Sequence, residues 1–179
     1  MKRIGLISDT HSCWDENYRE IFSSCDEIWH CGDIGDISIA DRLAEIAPLR
    51  AVSGNIDYGD VKREFNPYEI FEVEGVKVFM THIGGYPGKY AKGVKPLLRR
   101  ENIRLFVDGH SHILKVKYDP ELKLLHINPG AAGTQGWQQI RTLVRFSVHE
   151  GNISDLEVIE LYGRHGSGSK QQSNPIDSK

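Results

Sequence analysis

Five clusters of metal-type ligands punctuate the chain, each at the end of a short apolar run: Asp9-Thr10-His11, Gly32-Asp33, Gly54-Asn55-Ile56-Asp57, Thr81-His82 and Gly109-His110-Ser111-His112. Short apolar runs bounded by turn residues read as buried strands. Open α/β sheets build their sites in the crevice beyond the carboxyl ends of such strands. The fold is therefore constrained to bring neighbouring strand ends together, so that a scattered set of carboxylates and imidazoles becomes one site.

The runs between the clusters sketch the rest. Lys2 to Ser8 reads as a strand, and Tyr18, Ile21 and Phe22 give helical spacing to Asp15 to Ser24. Glu27 to His30 is a second strand. Ser38 is expected to cap a helix through Ile46, which Pro48 stops before strand Leu49 to Ser53. The rhythm then changes to hairpins: Tyr68 to Glu74 with Val76 to Thr81, Leu114 to Tyr118 with Leu122 to Ile127, and Thr142 to Val148 with Ile153 to Leu161. Lys92 to Arg100 reads as a basic helix before strand Arg104 to Asp108. That many strands bury poorly as one layer. The expected fold is mixed α/β, a four-layer αββα sandwich of two mixed β-sheets flanked by helices.

The 179 residues fit one domain, expected over 1–162. Residues 163–179, rich in Gly, Ser, Gln and Lys without periodicity, read as a flexible polar tail. Lys plus Arg number 22 against 25 Asp plus Glu, a net charge of −3 that argues against a strong nucleic-acid surface. No run approaches the roughly 20 apolar residues of a membrane span, and no signal peptide is visible, so a cytoplasmic location is expected. Cys13, Cys25 and Cys31 form no CxxC pair and read as reduced thiols without a catalytic role.

Each cluster has its own chemistry. Asp9 and His11, two residues apart where the chain leaves the pleat, can turn to one metal. Asp33 follows Gly32, which permits close backbone approach, and a carboxylate has two oxygens with which to bridge two cations. Asn55 offers an amide oxygen to a metal and an NH₂ to a phosphate oxygen. His110 and His112 would point to opposite faces of an extended strand, so a bend is needed, and Gly109 is expected to supply it. Asp57 reads equally as an outer-shell carboxylate or as a cap, and Asp36 as a loop or helix-start residue. His30 reads as a buried histidine satisfied by backbone, and His126, His149 and His165 as incidental. Gly84 to Gly93 reads as a mobile lip, with Lys89, Lys92 and Lys95 available to a phosphate, and Trp137 as a core residue.

Taken together, the five clusters resemble the signature blocks of calcineurin-like metallophosphoesterases, over residues 1 to about 160. The Asn128-Pro129-Gly130 that follows the last block is similar to the compact bacterial and archaeal phosphodiesterase branch, whose fold the retromer scaffold subunit shares. The resemblance implies two divalent ions. Asp9, His11, Asp33 and His112 would surround one, and Asp33, Asn55, His82 and His110 the other. It also implies the αββα fold. Ile56 departs from the pattern where many members carry a histidine that protonates the leaving alkoxide, and Ile83-Gly84-Gly85 departs after His82.

The expected activity is metal-dependent hydrolysis of a small phosphodiester, with Asp33 and Asn55 in the catalytic set and Asn55 also contacting substrate. Divalent ions lower the pKa of bound water toward roughly 7 and clamp phosphoryl oxygens. Imidazole, carboxylate and amide donors suit manganese first, with iron, zinc, nickel or magnesium as alternatives. The competing readings are a non-catalytic protein scaffold of the same fold and a phosphomonoesterase. A homo-oligomer remains open.

Overall fold

The computed structural model describes residues 1–161; the tail expected over 163–179, with His165, lies outside the described residues. In chain order the elements are β1 (Lys2–Ile7), α1 (Asn17–Phe22), β2 (Glu27–His30), α2 (Ile37–Ala44), β3 (Leu49–Ala51) and α3 (Gly59–Glu64). There follow β4 (Tyr68–Val73), β5 (Val76–Thr81), β6 (Gly85–Tyr86), β7 (Lys89–Tyr90), α4 (Val94–Arg100) and β8 (Leu105–Val107). The chain closes with β9 (Leu114–Asp119), β10 (Leu124–Pro129), β11 (Arg141–His149) and β12 (Asn152–Leu161). Two five-stranded sheets result, ordered β12-β11-β1-β2-β3 and β4-β5-β8-β10-β9.

Both sheets are mixed. β1, β2 and β3 run parallel, and so do β5, β8 and β10. The hairpins β11–β12, β4–β5 and β9–β10 add antiparallel strands. Side-chain alternation explains the stacking, since successive strand residues face opposite ways. Ile4, Leu6, Trp29, Val144 and Phe146 of the first sheet share one buried cluster with Val78, Met80, Leu105 and Val107 of the second. Ile7 and Ile28 turn outward onto Tyr18 and Phe22 of α1 and Leu43 of α2. Phe79 and Phe106 turn the other way, onto Val94 and Leu98 of α4. The layers are therefore αββα, as the strand count and the resemblance both implied.

Several local expectations are corrected. Asp36, not Ser38, caps α2: its side chain accepts from the Ser38 N–H, a short-range bond that an aspartate two residues earlier makes best. α3 went unread, because six residues, Gly59–Glu64, give too little periodicity. The Gly-rich lip folds as the two-stranded hairpin β6–β7, with Gly85 opposite Tyr90. Trp137 is wholly exposed at 100% and belongs to no core.

Candidate metal centre

The strand ends converge as the parallel order requires. β1, β2 and β3 release the chain toward Asp9, Asp33 and Asn55, and β5 and β8 toward His82 and His110. Backbone bonds lace these exits together: Asp9 N–H donates to Gly32 O at 3.0 Å, His11 N–H to Asp33 O at 3.0 Å, and Gly109 N–H to His82 O at 3.0 Å.

Five of the expected ligands adopt a left-handed backbone: Asp9 (φ 54°), His11 (46°), Asp33 (53°), His110 (65°) and His112 (58°). This conformation is uncommon outside glycine and collects at functional sites, where surrounding contacts hold it. It also corrects the role assigned to Gly109, because the bend lies at His110 and His112 themselves. Gly109 is required for proximity, since a Cβ there would run into Ser8 Oγ and stand 2.8 Å from Asp9 Oδ2. Gly32 (φ 91°) admits the His82 ring, which a Cβ would meet at 2.8 Å.

Two triads form. Asp9, His11 and His112 present one potential ligand atom each within 4.8 Å of one another, and so do Asp33, His82 and His110. Their edges touch. Asp33 faces both, with Oδ1 3.2 Å from His82 Nε2 and Oδ2 3.8 Å from His11 Nε2. Asp9 Oδ1 lies 3.2 Å from His112 Nε2 and 3.9 Å from His82 Nε2. Asn55 is exposed, in a bend whose flanks are pinned: Ile56 N–H donates to Asp33 Oδ1 and Gly54 N–H to Asp57 Oδ2.

The outer contacts leave one donor atom bare on each key ligand. Cys31 O can only accept, so the 2.7 Å contact from His82 puts the proton on Nδ1 and leaves Nε2 a lone pair. Gln138 Oε1, 3.1 Å from His112 Nδ1, does the same for that ring. Asp9 Oδ2 accepts from Ser8 Oγ at 2.6 Å and from the His110 N–H at 3.1 Å, which spends that oxygen. Asp9 Oδ1 and His82 Nε2 remain buried with no well-directed hydrogen bond. Such orphans are costly unless a partner arrives. Carboxylate and imidazole atoms converging in this way fit divalent cations of the manganese, iron or zinc kind.

Charge follows the same arrangement. Burial pushes His82 down, but the adjoining Asp33 carboxylate and the Asp9 charge outweigh it and the pKa is raised. His112 is raised chiefly by its bond to Asp9. Burial dominates at His11, which is lowered. Asp33 is held below the usual carboxylate range, burial being overcome by His82 and the Ile56 N–H. In each triad the carboxylate is the main counter-charge of the raised imidazole.

Other expectations resolve individually. Asp57 is buried and takes N–H bonds from Ile34, Gly35 and Gly54, so it clamps the Asp33 and Asn55 loops to each other. His30 is fully buried between Thr10 Oγ1 and the Gly32 N–H. Lys95 pairs with Glu121 instead of facing the site. His126 is not incidental. It is buried with Nε2 2.8 Å from Asp108 Oδ1, while Asn128 Nδ2 bonds Asp108 and the Gly109 carbonyl, bracing the Gly-His-Ser-His turn. His126 and Asn128 stand two apart on β10 and so share a face, which was the signal available in the sequence. Ser8 and Gln138 carried no such signal.

Comparison with known proteins gives the family and the fold. The calcineurin-like phosphoesterase superfamily domain matches residues 1–151. A probable metallophosphoesterase of Methanocaldococcus jannaschii is 30% identical over 164 residues, covering 88% of this chain and 81% of the archaeal protein. Among solved structures, Vps29 of Entamoeba histolytica complexed with Zn+2 is similar with TM-score 0.72 at 15% identity, over 89% of this chain and 92% of that one. A predicted phosphoesterase from Streptococcus pneumoniae gives TM-score 0.66 at 20% identity, over 97% and 98%. At these identities the two structures speak for the fold alone.

Proposed function

The chain belongs to the calcineurin-like phosphoesterase superfamily, and on that premise we propose that it is a metal-dependent phosphodiesterase with a dinuclear centre. In this reading Asp9, His11, Asp33 and His112 hold one cation, and Asp33, Asn55, His82 and His110 the other. The observation that carries it is the pair of contiguous triads with Asp33 turned to both. Manganese is the cation proposed first, with iron, zinc, nickel or magnesium as alternatives. The substrate is a small phosphoester.

When bound, divalent cations supply positive charge for the phosphoryl oxygens and acidify water to a nucleophile near neutral pH. The chain's own residues then hold that chemistry in place. Cys31 and Gln138 orient the imidazoles, and Asp57 fixes the loop that offers the Asn55 amide to a phosphoryl oxygen. Fixed donors of this kind stabilise developing charge without reorganisation. Ile56 brings no proton to the leaving group, so esters with acidic leaving alcohols are favoured.

The test is hydrolysis of bis-p-nitrophenyl phosphate and of p-nitrophenyl phosphate by the manganese-loaded protein. Faster diester turnover supports the proposal. Monoester turnover alone would replace it with a phosphomonoesterase, and inactivity on both would favour a scaffold.

A further inference from the structure

Cavities reach the proposed metal ligands at both triads, and their charges differ. One, of about 340 Å³, touches His11 and is walled by Ile37, Ile56, Tyr58 and Val61, with Asp36 and Asp60 at its rim. No lysine or arginine lines it among the described residues. The other, of about 290 Å³, touches His110 and is walled by Ile83, Tyr86 and Tyr90, with Lys89 and Lys115. The two share no lining residue. A third hollow over His110 and His112, beneath Trp137, adds no lysine, arginine or carboxylate.

The lysines of the His110 cavity are available. Neither Lys89 nor Lys115 has a carboxylate partner among the described residues, whereas Lys2, Lys77 and Lys95 are all paired. Lys115 is also placed: its Nζ lies 3.6 Å from the centroid of the Tyr86 ring. That contact positions the ammonium at the wall while leaving its N–H donors free. The one carboxylate there, Asp108, is already bonded by His126 and Asn128. At the other cavity Asp36 accepts from Ser38, and Asp60 pairs with Arg63. Both carboxylates would still repel an anion.

We propose that the substrate is an unsymmetrical phosphodiester: an arm bearing a negative charge lies against Lys115 in the His110 cavity, and an uncharged apolar arm lies against Ile56 and Tyr58. This rests on the phosphodiesterase reading above. The apolar arm is assigned as the leaving group, because its cavity offers no lysine or arginine to retain a product, whereas the lysine-lined cavity holds the charged phosphomonoester. Water forms the new P–O bond as the bond to the apolar arm breaks. One water proton leaves with that arm as its alcohol, and the other is released when the phosphomonoester ionises. A charged arm held by a partly exposed lysine gives a modest preference, weakened by salt.

The experiment uses the manganese-loaded full chain and two esters with one leaving group, p-nitrophenyl pentyl phosphate and p-nitrophenyl 4-carboxybutyl phosphate. Two inert analogues, benzyl pentyl phosphinate and benzyl 4-carboxybutyl phosphinate, report binding by calorimetry without any hydrolysis. The carboxylated member of each pair is expected to be favoured about fivefold, in kcat/KM and in Kd. Lys115→Gln should bring both ratios near one, and Lys123→Gln, outside the cavity, should leave them as they are. Equal ratios in the unaltered protein, or a preference that survives Lys115→Gln, would overturn the proposal. If both esters turn over equally, the arm assignment fails and the phosphodiesterase reading stands. If neither ester reacts but the carboxylated phosphinate binds more tightly, the reverse holds.

Discussion

The backbone N–H of His110 donates to Asp9 Oδ2 at 3.1 Å, joining motifs 101 residues apart in the chain. Asp9 follows a strand of one sheet and His110 a strand of the other, so the candidate centre sits across the seam between them. Cations held there bind the folded chain and not the unfolded one. Manganese at about a hundredfold above its Kd should stabilise the fold by about 2.7 kcal/mol. Chelator titration followed by thermal unfolding measures this, and an unfolding temperature indifferent to chelation would count against the centre.

Asp33 is the proposed shared ligand. Asp33→Asn keeps the shape but removes the charge, and His110→Ala removes a ligand from one triad only. Diesterase activity should fall at least about a hundredfold in each, as with loss of a single strong electrostatic contact at a reacting centre. Metal content by elemental analysis should fall in both. Full turnover in either variant rejects the assigned site.

Gly109 has no room for a side chain. Gly109→Ala would push a methyl onto Ser8 Oγ and Asp9 Oδ2. Overpacking of this kind costs about 1–3 kcal/mol, and a displaced Asp9 should weaken metal binding as well. Adding Ser8→Ala removes the closest clash. Urea denaturation should therefore show partial recovery in the double variant, and none would mean that the crowding is not local.

Ile56 is 39% exposed and lines the cavity that touches His11. Ile56→His should place a proton donor beside the leaving oxygen. Positioned acids contribute about 10²–10⁴ in rate, mostly where the leaving group is a poor one. Turnover of an alkyl diester should rise while that of a p-nitrophenyl ester changes little. A uniform change across leaving groups would exclude general acid assistance.

His30 sets a pH dependence. Burial, the largest cause, outweighs the nearby Asp57 and Asp9 and lowers its pKa from 6.5 to about 4. Between those values the unfolded chain binds a proton that the folded chain refuses, so stability falls as pH drops through this window. The loss is about 2 kcal/mol on moving from about pH 7 to pH 5. The raised His82 and His112 act oppositely in the metal-free protein, so the readout is a difference. Metal-free His30→Gln should lose about 2 kcal/mol less than the unaltered chain over that interval. Parallel pH profiles for the two proteins would contradict this origin.

Much of this was legible in the chain itself. Short apolar runs mark β1 and β8, alternation marks β11 and β12, and Asp9, His11, Asp33, His82, His110 and His112 stand at or just beyond strand ends in the sequence itself. What escaped notice was either local or non-periodic. The left-handed turns at His110 and His112 hide in a sequence that looks like strand, because only tertiary contacts stabilise that backbone. α3 and the β6–β7 hairpin are too short for a periodic signature. Trp137 was placed in the core on hydrophobicity alone, yet it lies in a loop with nothing over it.

That loop equips the protein with its own optical reporter. Trp137 is fully bathed in solvent, and its neighbour Gln138 grips His112. Trp29, sealed between the sheets, and Trp14, half-buried under Arg42, supply the emission background. Red-shifted fluorescence from the outer indole will thus register events at the mouth of the centre without a dye or a label.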